Sequence, residues 1–220
     1  MKAIFVILFL LAVNELSSGE SPKEFEGVIT YKTTIILKDK NLDINNLYKV
    51  FGRERQYYFK KGKFKWVPKD VRLEYEIFDP TISSSMIIDK FHGNDTLFYK
   101  DLSEILDTVT KVEKGKQLSI LNINCSSATF TVTDENKSDS KLFRTIYYPT
   151  DSLVYSTPYY NSLQAMGQSY ISRFTNSIPL RMELDSKNQP FSIVYEATKI
   201  EWRSLSDSEF KIDETLPSKR

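Results

Sequence analysis

Apolar and polar residues alternate over short stretches along most of this chain, a pattern that predicts strands rather than helices. Val71, Leu73, Tyr75 and Ile77 alternate with Arg72, Glu74 and Glu76, as on a strand with one face in a core and the other in water. Phe25 to Leu37 puts Phe25, Ile29, Tyr31, Ile35 and Leu37 on one face. The sharpest local inference concerns Arg53–Phe59 and Lys63–Val67, which a two-residue turn at Lys61-Gly62 would join, with Gly supplying positive φ. That register pairs Phe59 with Phe64 and Tyr57 with Trp66 on an inner face. It sets Lys60 opposite Lys63 and Tyr58 opposite Lys65 on the other, and because facing lysines repel, this basic face is expected to meet water.

Further strands are expected at Met86–Phe91 and Thr96–Lys100 around Gly93-Asn94. Leu118–Ile123 and Ala128–Val132 should lie either side of Asn124–Ser127. Leu142–Tyr148, Leu180–Leu184, Phe191–Trp202 and Phe210–Ile212 complete the set, and 216–220 reads as a polar tail. Helical spacing is rarer. A short helix is expected around Ile44–Val50. A second opens on the capping-box spacing of Asp101–Glu104, although Thr108–Val112 is β-branched. The longest, over 161–175, carries Leu163, Met166, Tyr170, Ile171 and Phe174 as its apolar stripe. Gly167 lies in that stripe at a cost in helix propensity, which a close approach to a sheet would explain. The sum is mainly β, about nine to eleven mostly antiparallel strands with one or two helices.

The start of the chain changes the picture. Met1-Lys2, the apolar run Ala3–Val13 and the small residues Ser17-Ser18-Gly19 have the order of a secretory signal peptide, with 1–19 removed and 20–220 forming a single β domain. Eleven apolar residues fall short of the ~20 a spanning helix needs, so no transmembrane segment is expected in the mature chain. Export places the protein in a periplasm or outside the cell. The first residue after that segment is not cysteine, which argues against an N-terminal lipid anchor. A formal net charge of +1 favours no particular partner, nucleic acid included. The 13 Tyr and 14 Phe suit a real core.

Three short segments carry a resemblance. Phe25–Tyr31 resembles the opening G-x-I-x-Y strand of the GLPGLI family of exported Bacteroidota proteins. Ile120–Cys125 resembles that family's cysteine segment, and Ile146–Asp151 its W-Y-T strand end, with Tyr in place of Trp. The closing stretches Thr198–Trp202 and Ser208–Ile212 are similar to those of the lipoprotein-carrier, LolA-like fold. That resemblance implies a single curved antiparallel sheet, an open half-barrel, with helices on its concave face. A concave face must be filled, by the helix at 161–175 or by a lipid or other apolar ligand.

Little else points to chemistry. His92, the only histidine, falls in an expected turn, a poor place for a catalytic base. Cys125 is the only cysteine, with no basic cluster to activate it, and reads as a small buried residue. Glu74 and Glu76 read as a solvated strand face. The sequons at Asn94, Asn124 and Asn136 are chance matches in a bacterial product. No catalytic residue, metal ligand or cofactor is expected. The functional expectation is a non-enzymatic exported protein that binds a lipid-like molecule in the concavity. Tyr57, Phe59, Phe64, Trp66, Leu73, Tyr75, Met166, Tyr170 and Phe174 are the candidate lining, and Lys60, Lys63 and Lys65 a candidate basic surface. The alternative is a cell-envelope interaction or structural module with a filled core and a protein partner.

Overall fold

The structure, a computed structural model, describes residues 23–82, 86–101, 107–134, 137–155, 157–161, 163, 165–213 and 215–219. The expected signal peptide and most of the helix expected from Asp101 lie outside them. The strands are β1 (Gly27–Leu37), β2 (Glu54–Lys60), β3 (Lys63–Pro68), β4 (Leu73–Phe78), β5 (Met86–Phe91), β6 (Leu97–Asp101), β7 (Asp107–Lys114), β8 (Leu118–Ile120), β9 (Ile123–Asp134), β10 (Lys137–Pro149), β11 (Arg181–Ser186), β12 (Phe191–Trp202) and β13 (Ser218–Lys219). The helices are α1 (Ile44–Phe51) and α2 (Gln168–Thr175). All 13 strands belong to one sheet in the order β13-β6-β5-β4-β3-β2-β1-β12-β11-β10-β9-β7, with β8 on β9. The sheet is curved and open, with more strands than its sequence patterning suggests.

The β2–β3 hairpin has the expected register, Phe59 opposite Phe64 and Tyr57 opposite Trp66. Lys61 and Gly62 turn it with φ of 47° and 76°, the twist that suits a hairpin. Only glycine fits at 62, because a Cβ there would come within 2.2 Å of the Tyr159 ring. α1 forms where expected. Asp43 caps it by accepting from the Asn45 amide at 2.8 Å, and Gly52, φ 73°, ends it.

Other elements differ from the pattern reading. Thr108–Val112 is strand, part of β7, in line with its β-branched residues. The chain turns at Leu121-Asn122, φ 52° and 63°, rather than at 124–127, so Cys125 sits inside β9. Phe210–Ile212 is not a strand; a 3-10 turn at Asp207–Phe210 takes its place. The expected polar tail contributes β13, parallel to β6. The helix expected over 161–175 is only α2, preceded by 3-10 turns at Thr157–Tyr160 and Ala165–Gly167. Met166 and Gly167 are both left-handed, φ 55° and 70°, so no continuous helix can run through them. Starting at 168 rotates the stripe: Ile171, Ser172 and Thr175 point inward, while Tyr170 and Phe174 are exposed.

Apolar residues cover both faces of one half of the sheet. The main core, with Phe25, Ile29, Tyr31, Phe59, Phe130, Ile146 and Leu180, lies on the concave face. On the convex face, residues 203–213 and 215–217 run as a strap. Leu205 and Phe210 pack with Val28, and Ile212 packs with Ile77, Ile88 and Leu97. The basic face of the hairpin therefore does not simply meet water. Lys60 donates to the Leu205 carbonyl at 2.6 Å and to Asp207 at 2.9 Å. Lys65 donates to the Glu209 carbonyl at 3.1 Å, and Lys63 pairs with Asp79 at 2.6 Å. The strap supplies acceptors for Lys60 and Lys65, and Asp79 draws the facing Lys63 away from Lys60.

Candidate functional site: a cavity on the concave face

The described residues of the connection from β10 to β11, within 150–180, fold across the concave face instead of turning directly. Its two ends are stitched together and to the sheet. The Ile178 amide donates to the Leu153 carbonyl at 2.9 Å, and the Phe25 amide to the Val154 carbonyl at 2.8 Å. Ser177 Oγ donates to the Pro149 carbonyl at 2.7 Å, and the Tyr31 hydroxyl to the Pro179 carbonyl at 2.6 Å. The middle of this cover is tied down by Arg144, which is buried on β10 opposite Phe130 of β9. Its guanidinium donates to the Met166 carbonyl at 2.5 Å and to Gln168 Oε1 at 3.2 Å. Asp107 accepts from the Met166 amide at 2.5 Å. A Cβ on Gly167 would come within 2.7 Å of Val109 Cγ2 and 3.2 Å of Val132 Cγ2. The cover thus rests directly on β7 and β9, as the position of this glycine suggests.

Between cover and sheet lies a cavity of about 420 Å3. That is within the ~300–1,000 Å3 usual for small-molecule sites. The sheet contributes Tyr31, Tyr57, Phe64, Trp66, Ile87, Ile146, Met182, Leu184, Ile193 and Tyr195 to its wall. The cover contributes Tyr155, Tyr160, Leu163, Met166, Ile171, Ile178 and Pro179, and α1 adds Phe51. Charged groups are few: Arg55, Arg144 and Glu76. A smaller recess of about 170 Å3 adjoins it, and the two share Phe51, Arg55, Trp66, Glu76 and Tyr195.

The candidate residues fall into groups. Tyr57, Phe64, Trp66 and Met166 line the cavity. Phe59 is fully buried beside them and packs on Phe25, Tyr155 and Tyr160. Leu73 lines the recess. Tyr75 lies on the convex face, its ring 4.6 Å from the Lys65 ammonium. Tyr170 and Phe174 pack edge-on against Phe130, with centroids 6.3 and 5.3 Å away, and do not line the cavity.

Glu76 is the clearest correction. It is not on a solvated face. β4 pairs with β3 so that Glu76 stands opposite Trp66 and turns inward. Burial, then the nearby Asp89 carboxylate, pushes its pKa up to about 7. Asp89 is itself buried and paired to Lys100. Arg55 lies 3.9 Å from the Tyr195 ring centroid and 5.0 Å from that of Trp66, and donates to the Phe51 carbonyl at 2.8 Å. Burial lowers its pKa, and lowers that of Arg144 to about 10. Sequence reasoning found the aromatic wall and missed the three charged groups. Arg55 falls in a run of basic residues, and Arg144 is a lone cation between Phe143 and Thr145 with no pattern to mark it.

Elsewhere the structure offers less chemistry. His92 is exposed in a turn, 3.9 Å from Glu74. Cys125 is buried, its thiol pushed up to about 11 by desolvation. Among the described residues no helix is long and apolar enough to cross a membrane.

No protein-family model matches the chain, and no curated protein matches its sequence. Solved structures similar to it in outline include the following three. One is an uncharacterised conserved protein of Thermus thermophilus, 8% identical, covering 97% of this chain and 99% of that one at a TM-score of 0.44. Another is the lipoprotein LppX of Mycobacterium tuberculosis, 11% identical over 82% of this chain and 89% of that one, with a TM-score of 0.39. The third is a Vibrio parahaemolyticus domain described as an outer membrane lipoprotein-sorting protein. It is 9% identical over 84% and 89% of the two chains, with a TM-score of 0.38.

Proposed function

We propose that this protein is an exported, non-enzymatic binding protein that holds a lipid-like molecule between the concave face of its sheet and the 150–180 cover. The observation that carries this reading is the cavity, about 420 Å3 of space walled largely by aromatic and aliphatic side chains. A monomer with only a surface role has no need of such a void, since empty space forfeits packing contacts. The cavity therefore favours a carrier over an envelope module with a filled core. Tyr57, Phe64, Trp66 and Met166 are the proposed contacts anticipated from sequence, joined by Tyr31, Ile146, Ile171 and Tyr195. The apolar run at 3–13 supports export. Kinship with the GLPGLI group goes with that reading, on the segments at 25–31 and 120–125.

The cavity supplies its own reporter. Trp66 lines it, whereas Trp202 is 58% exposed on the far side of Phe25. In Trp202→Phe, the remaining indole reports on the cavity alone. Titration with the lipophilic dye N-phenyl-1-naphthylamine should quench Trp66 and brighten the dye. Ile146→Phe combined with Ile193→Phe, which narrows the cavity without adding an indole, should weaken both signals. Absence of dye uptake, with no co-purified ligand in native mass spectrometry, would overturn the proposal.

A further inference from the structure

The charged groups in the cavity wall are unbalanced. Arg144 is a buried cation and Arg55 a half-buried one, and among the described residues neither has a carboxylate within 4.0 Å. The Nε of each is buried without an acceptor. A buried guanidinium with an idle donor is costly unless something accepts from it. Arg144 donates from its two terminal nitrogens to Met166 and Gln168. Arg55 donates to the Phe51 carbonyl, lies against the Tyr195 and Trp66 rings, and is favoured electrostatically by the Tyr195 hydroxyl and by Glu76. It stands where cavity and recess meet.

Among the described residues Glu76 is the only acidic group in either wall, and it can offset at most one of the two cations. The groups that act on it are Asp89, Lys100 and Arg55. Asp89 takes Lys100 as its partner, which leaves Glu76 beside a carboxylate and favours its neutral form. The junction therefore presents a cation with an idle donor, a carboxyl that burial and Asp89 hold toward its neutral form, and an apolar chamber behind them.

We propose that the molecule held in the cavity is an anionic amphiphile, its chain against Tyr31, Ile146 and Ile193 and its negative head on Arg55 at the junction with the recess. This rests on the carrier reading and narrows it to a ligand class. The head carries a single negative charge, either carboxylate or phosphodiester.

Competition against N-phenyl-1-naphthylamine at pH 6.5 tests this with four probes that share an oleyl or oleoyl chain: oleate, oleoyl-lysophosphatidylglycerol, oleyl alcohol and oleylamine. At least one anion should compete about ten-fold or more better than the alcohol, the gain expected of a charge-assisted hydrogen bond. Which anion does so identifies the head. Arg55→Gln should erase that advantage and leave the alcohol unchanged. An alcohol equal to both anions, or an amine tighter than either, would overturn the inference and leave the carrier reading standing. Dye uptake blocked by none of the four probes would also overturn it. Absence of dye uptake by the parent protein overturns the carrier reading itself. The comparison of probes on the parent protein decides the matter even if Arg55→Gln fails to fold.

Discussion

Glu76 stands directly opposite Trp66 across the β3–β4 ladder, which puts its carboxyl on the same side of the sheet as the indole. The fold holds it with a pKa of about 7, against an ordinary value of 4.5. A raised carboxyl favours the protonated native state. Its contribution is complete below about pH 4.5 and is lost as the pH rises through 7, beyond which the buried charge is a constant penalty. Glu76→Gln keeps the shape and removes the charge. Urea melts should show variant and parent nearly equal at pH 4.5. At pH 8 the variant should be more stable, by up to ~3 kcal/mol. A variant weaker than the parent at pH 8 would mean that the ionised carboxylate is the form the fold needs.

Gly167 answers to two constraints that can be separated. Its φ of 70° disfavours any side chain, and a Cβ would meet Val109 at 2.7 Å. Gly167→Ala should cost about 1–3 kcal/mol. Pairing it with Val109→Ala removes the clash and leaves the backbone strain, so the double variant should lose less than the two single losses added. Strict additivity in thermal melts would show that the cover does not press on β7.

The elements that could be read from the sequence are those whose periodicity is local. The β2–β3 hairpin needed only an alternation and a turn residue, and its register follows. β1 and α1 are legible for the same reason. What the pattern could not show is which face is inside where both are covered. Tyr75 and Ile77 are apolar because the strap lies over them, so the alternation in β4 reads as a single buried face. Glu76 was accordingly assigned to water, on the face that holds the cavity. The strap itself is a loop with apolar residues at Leu205, Phe210, Ile212 and Leu216, and no period marks a loop. In α2 the backbone decided: left-handed Met166 and Gly167 break a run whose side chains alone suggest one long helix.

The strap gives a prediction of its own. Phe210 is outside every strand, yet it is only 5% exposed, packed with Val28, Leu205 and Tyr58. Phe210→Ala should cost about 3–5 kcal/mol, as for a core aromatic. Hydrogen exchange should quicken in the 203–217 segment and leave β9 and β10 protected. A thermal midpoint unchanged from the parent would mean that the convex face tolerates water and that the strap is not part of its packing.

Cys125 lies inside β9, opposite Leu118 on one side and Pro149 on the other, and is 1% exposed. Desolvation raises its thiol to about 11, so at pH 8 the thiolate that reacts with alkylating reagents is scarce as well as inaccessible. Iodoacetamide at pH 8 should label the folded protein at least about a hundred-fold more slowly than the urea-unfolded chain. The labelling rate then reports how often β9 opens, and because Phe130 and Val132 of the same strand support the cover, a ligand in the cavity should slow it further. Rapid labelling of the folded protein would show β9 opening under native conditions. The strand would then be no fixed floor for the cover, and the cavity no preformed site.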